Sequence, residues 1–299
     1  MKLAWLGGLV VAGYVVLCAL VAWDKEVVLY PKTGRDRAAG RSAPAGYESW
    51  WRDLPTGGRV EAWWRPAEGA SAERPAPVVL YFHGNAELID DQRQTVEIWH
   101  RLGVSVLVCE HVGYGRSDGV PALENDIENG AAWFDIVAKR PDVRGDAIFA
   151  HGFSLGGAFA AQLAARRPVA GLVLESTFSS LPSMARRLGV WLYFGGERMD
   201  TARVLRELPA EVPVLLTHGR NDSVIPVAEG RKLAAARPGA RYVEGDYPHV
   251  PWAQNEPGRE LLHEFLARIL RDDAAGFGSR AASGRTETAL ASPAPGSAP

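Results

Sequence analysis

Six short apolar runs recur along the middle of the chain. They are "PVVLYFHG" (77–84), "VSVLVCEH" (104–111), "DAIFAHG" (146–152), "VAGLVLES" (169–176), "VPVLLTHG" (212–219) and "ARYVEG" (240–245). Most are apolar almost throughout, as suits a strand covered on both faces. Between them stand helix-like stretches, "ALENDIENGAAWFDIVAKR", "GGAFAAQLAARR" and "VAEGRKLAAAR". Strand and helix in alternation imply an α/β fold: a mostly parallel sheet flanked by helices. "GRVEAWWRP" (58–66) reads as an earlier, antiparallel strand, and "GRELLHEFLARIL" (258–270) as a closing amphipathic helix. One domain over about 27–271 accommodates all of it.

In such sheets ligands bind beyond the carboxyl ends of the strands. Those ends carry His83-Gly84-Asn85, His111 with "GYGRSDG" behind it, Ser154, Glu175-Ser176, Asp222 and His249. Ser154 stands in "HGFSLGGAF" (151–159), between a strand-like and a helix-like run. Glycine at that junction suits a turn too tight for a Cβ. A serine hydroxyl is a poor nucleophile at neutral pH; it needs a base to take its proton and a third group to orient the base. Asp222 and His249 each follow a strand, and the order Ser, Asp, His with a G-x-S-x-G elbow is that of α/β-hydrolases. The alternatives are a structural serine, a turn-capping aspartate and a surface histidine.

The core over 27–271 resembles α/β-hydrolases, most closely the membrane-anchored Bem46/ABHD13-like serine hydrolases. The motifs that carry the resemblance are "YFHGNAE" (81–87), "GYGRSDG" (113–119), "HGFSLGGA" (151–158), "ESTFSS" (175–180) and "HGRNDSVIP" (218–226). The resemblance implies Ser154 as nucleophile, Asp222 as acid and His249 as base. It also implies an oxyanion hole from the backbone N–H groups of Asn85 and Leu155, in keeping with the donors that a helix start offers to developing negative charge. No metal and no cofactor is implied. The chain departs from the pattern at Pro248, where the family places glycine before the histidine.

Between Glu175 and Val212 the alternation lapses, and the resemblance places this stretch over Ser154 as a short helical cap, about 177–211. Met184, Trp191 and Phe194 are expected to line an apolar acyl pocket there; the alternative is that they only pack the cap on the core.

The two ends lie outside the domain. Residues 3–23 run without a charge; as a helix they would span about 32 Å, close to a hydrocarbon thickness of roughly 30 Å. A single-pass membrane anchor over residues 1–26 is expected, with the side of the catalytic domain open. The stretch 272–299, rich in Ala, Gly, Ser and Pro, is expected to be disordered. Lys plus Arg number 33 against 35 Asp plus Glu, so nothing in the charge favours nucleic acid. The expected activity is a membrane-tethered serine hydrolase acting on esters, thioesters or lipid acyl chains. A peptidase of the same fold and a non-catalytic scaffold at the membrane are the alternatives.

Overall fold

The computed structural model describes residues 38–187, 189–192 and 199–276, with 13–16, 18 and 30 besides. Eight strands form one sheet: β1 (Glu48–Asp53), β2 (Arg59–Arg65), β3 (Ala76–Phe82), β4 (Ser105–Cys109), β5 (Val143–Phe153), β6 (Gly171–Glu175), β7 (Val214–Gly219) and β8 (Arg241–Gly245). Their spatial order is β1-β2-β4-β3-β5-β6-β7-β8. The β1–β2 and β2–β4 pairs are antiparallel and all the others parallel. The helices of the domain are α1 (Arg93–Arg101), α2 (Leu123–Val137), α3 (Leu155–Ala164), α4 (Leu181–Arg187), α5 (Thr201–Glu207), α6 (Val227–Ala236) and α7 (Glu256–Gly276).

The period-2 pleat divides the apolar runs between two cores. Along β3, Val78, Leu80 and Phe82 enter one layer, with Trp133 and Phe134 of α2, Phe159 of α3, Leu205 of α5 and Leu233 of α6. Val79 and Tyr81 face the other, with Val96 and Trp99 of α1 and Leu262 and Phe265 of α7. Covering both faces is what lets strands this short carry almost no polar residues. Each fully buried Leu, Val or Phe contributes about 1.5–3 kcal/mol.

Two elements depart from the sequence expectations by addition. β1, "ESWWRD", is an edge strand with alternately exposed residues, and α1 is a nine-residue helix whose residues Thr95, Val96, Ile98 and Trp99 are buried. The closing helix is also longer than expected: α7 continues through Gly276, past the start expected for the tail. Between β6 and β7 the chain forms α4 and α5, the helical insertion expected there. Among the described residues no helix is long and apolar enough to cross a membrane. The expected anchor at 3–23 lies mostly outside the described residues, and the tail from 277 on lies wholly outside them.

Candidate active site

β5 and α3 are separated by a single residue, Ser154. Its backbone sits at φ +55° and ψ −121°, a region that costs a residue with a Cβ about 1–3 kcal/mol. Neighbouring strands hold it there. Ser154 N–H donates to Glu175 O (2.9 Å), and Ser154 O accepts from Thr177 Oγ1 (2.6 Å) and from Gly157 N (3.1 Å). The glycines on either side are required by backbone contact. A Cβ on Gly152 would fall on the carbonyl of Gly156, and one on Gly156 would fall on the carbonyl of Phe82 at the end of β3. So the elbow closes only because two backbones touch, and its strain leaves the Ser154 hydroxyl above the sheet.

His249 and Asp222 reach that hydroxyl from the ends of β8 and β7. His249 Nε2 lies 3.0 Å from Ser154 Oγ, and His249 Nδ1 lies 2.7 Å from Asp222 Oδ2. Pro248 does not disturb this geometry: the loop turns tightly, with Val250 N–H donating to Pro248 O (2.9 Å). Asp222 Oδ1 accepts from Val224 N (2.9 Å) and Ile225 N (2.8 Å). Burial alone would push the Asp222 carboxyl group up. Hydrogen bonds from His218 and His249, the charge of His249 and the Ile225 N–H outweigh burial and hold it well below the usual carboxylate range. Ser154 and Asp222 are buried, and His249 between them is partly buried.

The expected oxyanion donors lie on either side of the elbow. Leu155 is the first residue of α3, where the N–H has no partner one turn back. Asn85 follows β3, the strand beside β5, with Phe82 in register with Gly152. The Asn85 side chain is held by two hydrogen bonds: its Oδ1 accepts from Ala86 N (2.8 Å) and from Tyr114 Oη (2.7 Å). Below this loop His83 Nε2 meets Glu110 Oε1 at 2.7 Å, both side chains fully buried. Burial opposes the charge on His83, but the facing Glu110 carboxylate and its hydrogen bond dominate and raise the imidazole to about 9.

Of the three expected pocket residues, two are described. Met184, in α4, is half-buried and packs on the core. Trp191 is 68% exposed; its backbone N–H donates to the Tyr14 hydroxyl (2.7 Å), which donates in turn to Gly189 O (2.8 Å). Phe194 lies outside the described residues. Among the described residues no three His, Cys, Asp or Glu side chains gather as a metal ion would require.

Several residues that support the site were not singled out from the sequence. Tyr114 sits inside "GYGRSDG", one of the motifs that carry the family resemblance. His218, in β7, and Thr177, just past β6, are polar residues that the structure buries; their place at or beside a strand end is the one signal that the sequence holds for them.

A serine aminopeptidase (S33) family profile matches residues 73–210. An α/β-hydrolase domain-containing protein of Arabidopsis thaliana, WAV2, is 30% identical over 263 residues, covering 80% of this chain and 83% of that protein. An uncharacterized protein of Mycobacterium tuberculosis is 30% identical over 279 residues, covering 87% of this chain and 95% of its own length. Among solved structures, the esterase Pf2001 of Pyrococcus furiosus superposes with a TM-score of 0.61 at 20% identity, over 77% of this chain and 96% of that one. Est1E from Butyrivibrio proteoclasticus, solved with ferulic acid bound, superposes with a TM-score of 0.60 at 21% identity, over 76% of this chain and all of its own. At those identities the likeness is one of fold.

Proposed function

The chain belongs to the α/β-hydrolase superfamily, and we propose that within it the protein is a membrane-tethered serine hydrolase of the Bem46/ABHD13-like kind. Its substrates are carboxylic esters, thioesters or lipid acyl groups. The observation that supports this reading is the unbroken contact from Ser154 Oγ through both nitrogens of His249 to Asp222. Ser154 Oγ attacks the acyl carbonyl carbon as His249 Nε2 takes its proton. Asp222 holds Nδ1–H and stabilises the imidazolium; being depressed in pKa, it stays ionised while doing so. Negative charge on the carbonyl oxygen is met by the N–H groups of Asn85 and Leu155. Collapse of the tetrahedral intermediate passes the proton to the leaving group and leaves an acyl-Ser154. A water molecule, deprotonated by His249, then releases the acid.

In this reading residues 3–23 tether the domain to a bilayer, and the cap between β6 and β7 receives the acyl chain at Met184, Trp191 and Phe194. Each methylene taken up there is worth about 0.8 kcal/mol. A panel of acyl esters from two to twelve carbons tests it, with a preference expected for short to medium chains. Trp191→Ala should lower kcat/KM more for an eight-carbon than for a two-carbon ester; an equal loss on both removes Trp191 from the acyl site.

A peptidase of the same fold is the second reading, favoured by the match of residues 73–210 to a serine aminopeptidase family. Aminoacyl-amide substrates run beside the esters decide it: amide turnover at or above ester turnover selects the peptidase.

A further inference from the structure

A closed ring of polar contacts runs beneath the triad, and no step above uses it. His249 stands on a loop whose neck is pinched shut: Tyr247 stacks on Trp252 with ring centroids 5.3 Å apart and planes 14° from parallel. Pro248 and Pro251 stiffen the loop on either side of the base. Past the neck, a short 3₁₀ turn, Trp252–Gln254, is clamped from two directions. From the sheet, Glu175 Oε1 accepts from Ala253 N–H (3.0 Å). From α1, Thr95 Oγ1 meets Gln254 Nε2 (3.2 Å) and Gln94 Nε2 donates to Gln254 O (3.2 Å).

The ring closes through the core. Trp99, also in α1, donates its indole N–H to His151 Nδ1 (2.9 Å). An indole nitrogen only donates, so Nδ1 must accept and the neutral imidazole carries its proton on Nε2. That nitrogen faces Glu175 Oε2 at 3.2 Å, close but without the alignment of a good hydrogen bond. Trp99, His151 and Glu175 are all at most 2% exposed. A carboxyl group placed so deep is costly unless it is partnered; here one oxygen accepts from the turn that follows the general base, and the other faces, without a hydrogen bond, a histidine whose tautomer α1 dictates.

We propose that Glu175 is a positioning residue for the general base: its carboxyl group anchors the neck of the His249 loop through Ala253, while His151 and Trp99 fix the carboxyl group. The assignment rests on the reading of Ser154 as nucleophile and His249 as base. It has a consequence that packing alone does not. In Glu175→Gln the amide oxygen can still accept from Ala253, but then the amide N–H₂ confronts His151 Nε2–H, donor against donor. Trp99 forbids the tautomer that would relieve the clash. Trp99→Phe removes that constraint, so the proton can move to Nδ1 and Nε2 can accept from the amide.

The experiment compares steady-state ester hydrolysis and the rate of fluorophosphonate labelling in the full-length protein for wild type, Glu175→Ala, Glu175→Gln, Trp99→Phe and the double variant Glu175→Gln/Trp99→Phe. The reactive fraction at the end of labelling corrects for misfolded protein. Glu175→Ala should lose about 10- to 100-fold in kcat and in labelling rate with KM within twofold, and Glu175→Gln about 10-fold, the scale of one or two hydrogen bonds. Trp99→Phe alone, which leaves Glu175 on Ala253 but frees the His151 tautomer, should lose less than Glu175→Gln does, and adding it to Glu175→Gln should restore most of the loss. Wild-type rates in Glu175→Ala, or a double variant no faster than Glu175→Gln, overturn the proposal. If Glu175→Ala does not fold, the comparison of Glu175→Gln with the double variant decides alone. A wild type that neither labels nor turns over ester contradicts the hydrolase reading, a failure distinct from these.

Discussion

At the scale of single residues, the site is an arrangement in which each polar group has one orientation open to it. Asp222 is the clearest case: two backbone N–H groups occupy one carboxylate oxygen, and the other faces His249. Asp222→Asn keeps the shape but presents an amide to Nδ1, favouring the tautomer in which Nε2 carries the proton and cannot take that of Ser154. Turnover of the best ester should fall by about 10⁴-fold with the thermal midpoint little changed; near-normal turnover would place the acid elsewhere. The three residues of this chain were legible because each sits at a strand end beside turn residues, and because their order along the chain is restrictive. His218, Thr177 and Tyr114 were not legible. The partners of Thr177 and Tyr114, Ser154 O and Asn85, lie 23 and 29 residues away, and those of His218, Ile225 O and Asp222, lie close by but on a turn whose shape no local pattern announces.

At the scale of elements, the sequence pattern found the strands of the parallel core and the edge strand β8, and missed β1 and α1. The parallel strands read as apolar runs because helices cover both sides of them. β1 alternates exposed and half-buried residues at the sheet edge, and α1 shows only a narrow apolar stripe among charged residues, with no side-chain cap to announce its start. Yet α1 supplies Trp99, Thr95 and Gln94 to the ring beneath the base. The loop after β3 carries a pH-dependent element of its own. His83, raised to about 9 by Glu110, lies above the ordinary histidine value near 6.5. The pair therefore contributes fully below about pH 6.5, and its contribution declines until it is lost as pH rises through about 9. The neighbouring Cys109 and Tyr114 are pushed up and do not titrate in that window. Thermal unfolding of wild type and His83→Gln between pH 6 and 10 should show a gap that narrows towards pH 9. It should amount to at least about 1 kcal/mol at its widest, or roughly 2–4 °C for a domain of this size. Parallel curves would mean that His83 carries no linked charge.

At the scale of the whole molecule, the fold and family stand on a sheet order and on relatives aligned along most of the chain, while the proposed attachment to a membrane rests on the composition of residues 3–23 alone. The sequence signal for that segment is length without charge, and only Gly13, Tyr14, Val15, Val16 and Cys18 of it are described. Alkaline carbonate extraction of the full-length protein should leave it in the membrane pellet, and deletion of residues 1–23 should release a folded, active domain; release of the intact protein by carbonate would withdraw the anchor without touching the chemistry. That chemistry is the central claim, and covalent capture of the nucleophile tests it most directly. The full-length protein is treated with a fluorophosphonate and digested, and the adduct is mapped by mass spectrometry, with Ser154→Ala as control. A single adduct on the peptide bearing Ser154, absent from Ser154→Ala, is the predicted result. An adduct on another residue, or equal labelling of both proteins, would contradict it.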